Sequence, residues 1–313
     1  MGSLILHKLA SSVLLLIAIT AVAFTLIFST GEGISRRILG DLATSEQVQA
    51  KDAELGLDQP LPRQYLSWLA RTVHGDLGRS WFSQESVAPA ILSRLAVTLS
   101  IVVVALVICT VVSISLGTFA AIRGGWWDRG LQILSVTGEA LPNFWLGLIL
   151  VATFAVSIRM FPATGFVPLS ESPIGWAKTI TLPVTALVIG SVASAAAQVR
   201  GALIDVLDRD FIRTLRARGL SERSVIARHA LRSAAPAAIT VLSLQFIGMI
   251  GGAVMIEKVF ALPGVGTYAV DATVQGDIPV VLGILMTMAV IVVSVNLFVD
   301  LVNAWINPKA RLR

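Results

Sequence analysis

Long stretches without charge recur along the whole chain, separated by shorter polar segments. Residues 9–31, 95–122, 179–199, 233–256 and 278–299 contain no Asp, Glu, Lys or Arg. A sixth run, 131–158, is interrupted only by Glu139. Because about 20 apolar residues cross the hydrocarbon of a bilayer as a helix, the pattern predicts six transmembrane helices. Only the polar segment between the first two runs is long enough to be a structure of its own. Within it, Pro60 and Pro62 are followed by Tyr65, Leu66, Trp68 and Leu69 at helical spacing. That spacing predicts a short helix against the mouth of the membrane domain, with a solvated loop as the competing reading. The expected organisation is an N-terminal helix (1–30), an insertion (31–95), a five-helix core (96–307) that includes a polar loop at 201–235, and a tail (308–313).

Charge adds an orientation. Lys8 precedes the first run, Arg123 and Arg129 lie between the second and third, an arginine-rich stretch lies between the fourth and fifth, and Lys309, Arg311 and Arg313 follow the sixth. Six spans place all four segments on one face, and basic loops stay in the cytoplasm, so both termini are expected there. The insertion, with eight acids and seven bases over residues 32–94, is nearly neutral and expected outside. Ala21-Val22-Ala23 resembles a signal-peptide cleavage site, yet apolar residues continue through Phe28. An uncleaved first helix is therefore the expectation.

Composition agrees with an all-α polytopic membrane protein. Only 14% of residues are charged and the mean hydropathy is +0.82, where soluble domains carry about 25% charge. The net charge of +5 is that of loops facing anionic lipid rather than of a nucleic-acid site. No glycine is followed by lysine, so the phosphate loop of common ATPases is missing. Three scattered histidines and the single Cys109 offer no metal-ligand spacing. No catalytic constellation is evident, which points to passage rather than catalysis.

Polar residues inside the runs are then the candidates for a pathway. Glu139 is followed by Leu141-Pro142-Asn143, and proline both removes a backbone donor and disfavours helix before it, so this span should kink or break. Glu139 has two readings: a carboxylate facing a water-filled route, or one that snorkels to the cytoplasmic face. Asn143, Gln198 and Gln245 are further pathway candidates, with hydrogen bonding between helices as the plainer reading of the glutamines. Gly251-Gly252 suits close helix packing.

The stretch 209–232 holds seven arginines against two acids, Asp210 and Glu222. Leu207, Phe211 and Leu215 recur at four-residue steps between the arginines, which is an amphipathic helical period. Gly219 should end that helix, and Ser221 should cap a second, with Glu222 near its positive end. A helix, a glycine and a helix held on the cytoplasmic face read as a docking element for another protein; an ordinary basic loop is the alternative.

The exact residues go further. Asp210-Phe211-Ile212-Arg213-Thr214, Arg216-Ala217-Arg218-Gly219-Leu220-Ser221-Glu222-Arg223 and Arg228-His229-Ala230-Leu231-Arg232 resemble the cytoplasmic loop of bacterial ABC importer permeases. The narrower resemblance is to the dipeptide/oligopeptide/nickel class, on the first-permease side of a heteromeric pair. Gly75-Asp76-Leu77-Gly78-Arg79-Ser80, Leu141-Pro142-Asn143-Phe144-Trp145, Val259-Phe260-Ala261-Leu262-Pro263-Gly264-Val265-Gly266 and Asp277-Ile278-Pro279 fit the same class. Two departures stand out. Arg213, Thr214 and Leu215 occupy the place of the wider family's Glu-Ala-Ala, and Gly276 stands where an arginine is usual.

The resemblance implies a type I importer permease fold with an extracytoplasmic insertion after the first helix, in a bacterial inner membrane. It implies four kinds of partner: a second homologous permease, two cytoplasmic ATP-binding subunits, an external substrate-binding protein and membrane lipid. It implies no cofactor in this chain, with ATP and Mg bound by the partner ATPases. Asp210, Phe211, Arg213, Leu215, Arg216, Arg218, Gly219, Leu220 and Glu222 would form the ATPase-coupling element. The cargo would be peptides or similar small solutes; a nickel or metal-chelate importer and, further off, a secondary transporter are the alternatives.

Overall fold

The computed structural model describes residues 2–29 and 33–306. The expected tail at 308–313, with Lys309, Arg311 and Arg313, lies outside the described residues. In chain order the helices are α1 (Gly2–Ser29), α2 (Ile34–Leu39), α3 (Ser45–Leu55), α4 (Leu61–Val73), α5 (Val87–Arg123), α6 (Gly125–Ala140) and α7 (Asn143–Leu150). They continue as α8 (Pro173–Leu207), α9 (Asp210–Ala217), α10 (Glu222–Ser224), α11 (Leu231–Val259), α12 (Val265–Gln275) and α13 (Ile278–Ile306). π-Helical turns extend α7 over Val151–Ser157 and join α10 to α11 over Val225–Ala230.

Among the described residues five helices are long and apolar enough to cross a membrane, and α6 and α7 make a sixth if the bent pair is counted as one span. Those two meet at an angle of 90°. The break falls at Leu141-Pro142, where Leu141 is extended (φ −89°, ψ 116°) as a residue before proline prefers to be. The spans outrun the charge-free runs that announced them. α5 has 37 residues and α8 has 35, against the 20 or so that a bilayer needs. Their ends run past the charge-free runs and carry side chains such as Arg94, Arg200 and Asp205.

The chain forms two compact units. One comprises residues 96–266 with 295–313, and α8 is its centre. More than half (56%) of its most apolar window is buried, against 11% for α1. α6, α7 and α11 all pack on α8. α5 crosses it closely at Gly117, where a methyl group would stand 2.5 Å from the Ala196 carbonyl. At one end Arg200 Nη2 of α8 donates to Asp128 Oδ2 of α6 at 2.5 Å.

The other unit comprises residues 1–95 with 267–294. The insertion contributes three helices to it, not the single one its periodicity announced. α3 escaped notice because none of its residues is buried, so it has no apolar face to read. It is held locally instead, by a capping box in which Thr44 and Gln47 satisfy each other's backbone N–H groups. α4 starts behind Pro60 and turns Tyr65, Trp68 and Leu69 toward α1; the Phe24 ring lies 5.4 Å from Tyr65 and 6.0 Å from Trp68. Tyr65 Oη also reaches Thr20 Oγ1 at 2.9 Å. Leu66, expected on that same face, is 62% exposed.

Candidate functional site

α8 ends at Leu207, and the chain turns through Asp208 and Arg209, the latter extended at φ −74°, ψ 147°. α9 then runs for eight residues with Asp210 in its first turn, where a carboxylate meets the positive end of the helix dipole. Its end is a Schellman closure. Gly219 N–H donates to the Arg216 carbonyl at 3.0 Å and Leu220 N–H to the Leu215 carbonyl at 3.4 Å. Gly219 has φ +82°, a conformation in which a Cβ is strained. Leu215 and Leu220, the apolar pair of such a closure, both pack on the cluster beneath.

That cluster holds Leu203, Val206, Ile212, Val225, Ala230 and Ala234. It corrects the apolar face read from the spacing. Leu207 and Leu215 touch it, but Phe211 does not and is 38% exposed; the buried residue of α9 is Ile212. The corner at Asp208–Arg209 redirects the helix axis, so Leu207 no longer shares a face with Phe211. Phe211, Asp210 and Arg213 are left on the outside, the side chains of the last two 97% and 74% exposed.

Arg216 and Glu222, both expected to touch a partner, first of all touch each other across the turn. Nε donates to Oε2 at 3.1 Å and Nη2 to Oε1 at 2.5 Å. The hydrogen bond, with the attraction between the charges behind it, holds the Glu222 carboxyl below its usual range and raises the Arg216 guanidinium above its own. Ser221 does occupy the cap position of the second helix, but its side chain makes no capping bond; its carbonyl accepts from Val225 N–H at 3.0 Å.

The element is thus a short helix and a locked turn, with an apolar underside seated on α8 and α11 and a charged outer face bearing one exposed aromatic ring. Residues 113–312 match the family described as the binding-protein-dependent transport system inner membrane component, and residues 1–102 match its N-terminal companion. The chain belongs to this family. A relative in Brucella abortus, named as a peptide transport system permease protein, is 37% identical over 99% of both chains. The glutathione transport system permease protein of Escherichia coli is 32% identical over 99% of both. Among solved structures, an inward-facing MetNI methionine ABC transporter matches at TM-score 0.55 and 17% identity, covering 69% of this chain and 96% of that one. The protein is a multi-pass permease subunit of an ABC importer, with the type I importer permease fold.

The expected pathway residues stand in different settings. Asn143, the first residue of α7, lies between α8 and α11. Its carboxamide occupies the space that a side chain at Gly190 or Gly252 would need. Of the Gly251-Gly252 pair expected at a close packing, Gly252 is closely packed and Gly251 faces open space. Glu139 is exposed near the end of α6, and Gln198 is exposed on α8, where its Nε2 reaches Ser194 Oγ at 3.4 Å. Gln245 is half-buried on α11.

Two carboxylates to which the sequence reading gave no site role are buried. Glu257, near the end of α11, is fully buried. Thr98 Oγ1 donates to its Oε1 at 2.6 Å and accepts from Val265 N–H at 2.9 Å. Gly264 and Gly266 wrap the carboxylate so closely that a Cβ at either would collide with it. Its position one residue beyond a charge-free run disguised it as a boundary charge; the two glycines after Pro263 were the available signal. The other is Asp277, 3% exposed. Its Oδ2 accepts from Ser80 Oγ at 2.5 Å and its Oδ1 from Trp81 N–H at 3.1 Å. Two motifs nearly 200 residues apart are joined there.

Proposed function

We propose that this permease carries peptides or similar small solutes, and that Asp210–Glu222 is the element through which partner ATPases drive it. The observation that carries the reading is the exposed face of α9 on a turn that is locked from below. An amphipathic helix presented this way fits a groove of another protein, and because its underside is continuous with α8 and α11, a push on it is passed to the spans as a rigid-body movement. The names of the relatives, peptide and glutathione permeases, support the cargo class. Arg213, Arg218 and Phe211 would make the contacts, while Arg216 and Glu222 would hold the turn's shape. Hydrolysis of ATP, with its Mg, belongs on this reading to two partner subunits. A second permease completes the pathway, an external binding protein delivers the cargo, and the chain lies in the inner membrane with its termini and the 210–222 turn in the cytoplasm.

The test is a gentle detergent pull-down of the tagged full-length chain from native membranes. Recovery of one homologous permease, ATP-binding subunits and a binding protein is expected, and the ligand of that binding protein names the cargo. Recovery of the chain alone, with uptake that persists after deletion of the candidate ATPases, would overturn the coupling role. A ligand that proves to be a metal chelate would replace the peptide reading and leave the rest intact.

A further inference from the structure

The unit built from the insertion contains a recess that the transport reading does not use. It has a volume of about 260 Å³ and lies between α4, the 77–81 turn and the adjoining ends of α1 and α13. Its floor is apolar and comes from helices that span the membrane: Phe24 and Phe28 of α1 and Leu282 of α13. Its rim is polar, with Arg71 and Arg79 both exposed and neither in an ion pair among the described residues. Glu54, the one carboxylate on the rim, is already engaged by Lys51 at 2.8 Å. Trp68 forms part of the wall; it is 6% exposed, and its indole N–H has no hydrogen-bond partner.

Two free guanidiniums call for an anion, and planar forked donors suit phosphate. The floor calls for hydrocarbon. One class of molecule offers both at the depth where aromatic rings gather at the end of a span. We propose that the recess binds the headgroup of an anionic phospholipid, with its phosphate between Arg71 and Arg79 and its glycerol and upper acyl carbons over Phe24, Phe28 and Leu282. The site would fasten the insertion to the membrane surface. It does not depend on what the importer carries.

The experiment is native mass spectrometry of the full-length chain released from phosphatidylcholine vesicles doped with phosphatidylglycerol, with inorganic phosphate tested separately. A retained phosphatidylglycerol adduct is expected, and in Arg71→Ala/Arg79→Ala it should fall at least about tenfold, the loss expected for charge-assisted bonds. Arg71→Lys/Arg79→Lys should keep part of it. If the alanine pair fails to fold, Arg71→Gln/Arg79→Gln keeps much of the side-chain bulk, drops both charges, and should still weaken retention. Equal adducts in wild type and the folded variants would overturn the proposal. So would phosphatidylcholine retained as well as phosphatidylglycerol, or inorganic phosphate bound with no lipid adduct.

Discussion

The two turns at opposite ends of the fifth span carry the same kind of group in opposite settings. Before α11, Glu222 lies exposed and pairs with Arg216 across the Gly219 turn. After it, Glu257 is fully enclosed, bonded by Thr98 and wrapped by Gly264 and Gly266. An exposed ion pair contributes little and leaves its surface available to a partner. A buried carboxylate is tolerated only where its oxygens are bonded, and its surroundings become intolerant of change. The first turn lies open and the second is closed.

The contrast can be broken most severely at Gly219. Proline there cannot adopt φ +82° and lacks the N–H that bonds the Arg216 carbonyl. Gly219→Pro should abolish uptake while membrane insertion stays intact, read by transport assay and by membrane fractionation; wild-type uptake would remove the coupling role. Next comes the closed turn. Gly264→Ala forces a methyl into the Glu257 carboxylate and should cost about 1–3 kcal/mol as overpacking, seen as a lower melting temperature in detergent. Thr98→Val removes the hydroxyl that serves both Glu257 and the Val265 N–H. A loss of about 1–3 kcal/mol is expected for the groups left unmatched.

The smallest effect belongs to the exposed pair. Arg216→Ala should change stability by about 0.2–1 kcal/mol, as exposed ion pairs do. Its pH dependence has a definite sign. Because the bond from Arg216 lowers the Glu222 carboxyl in the folded chain, its contribution is present above the ordinary glutamate range and is lost as pH falls through the lowered folded value. Melting curves of Glu222→Gln should lack that acid-side loss; an unchanged acid profile would mean that the pair contributes nothing.

How much of the 210–222 turn was legible depended on where each residue's contacts lie. Gly219 was readable because its task, a positive φ after a helix, is set by its immediate neighbours. Phe211 was misplaced because the corner at Asp208–Arg209 turns the axis between two residues whose spacing suggested one face. Ser221 holds the cap position without capping, since its side chain makes no bond to the backbone ahead. The enclosure of Glu257 and Asp277 was not legible because their partners, Thr98 and Ser80, stand 159 and 197 residues away.

The sequence by itself determined the apolar runs, the break before Asn143 and, through its motifs, the family. The runs and the break follow from the cost of placing charge or unpaired backbone in hydrocarbon, which every local window of the chain has to respect. The tertiary structure alone decided which carboxylates are enclosed, which aromatic faces outward, and where the insertion leaves a recess. Those outcomes depend on which helices meet, and a side chain's burial and bonding belong to that meeting rather than to its own stretch of chain.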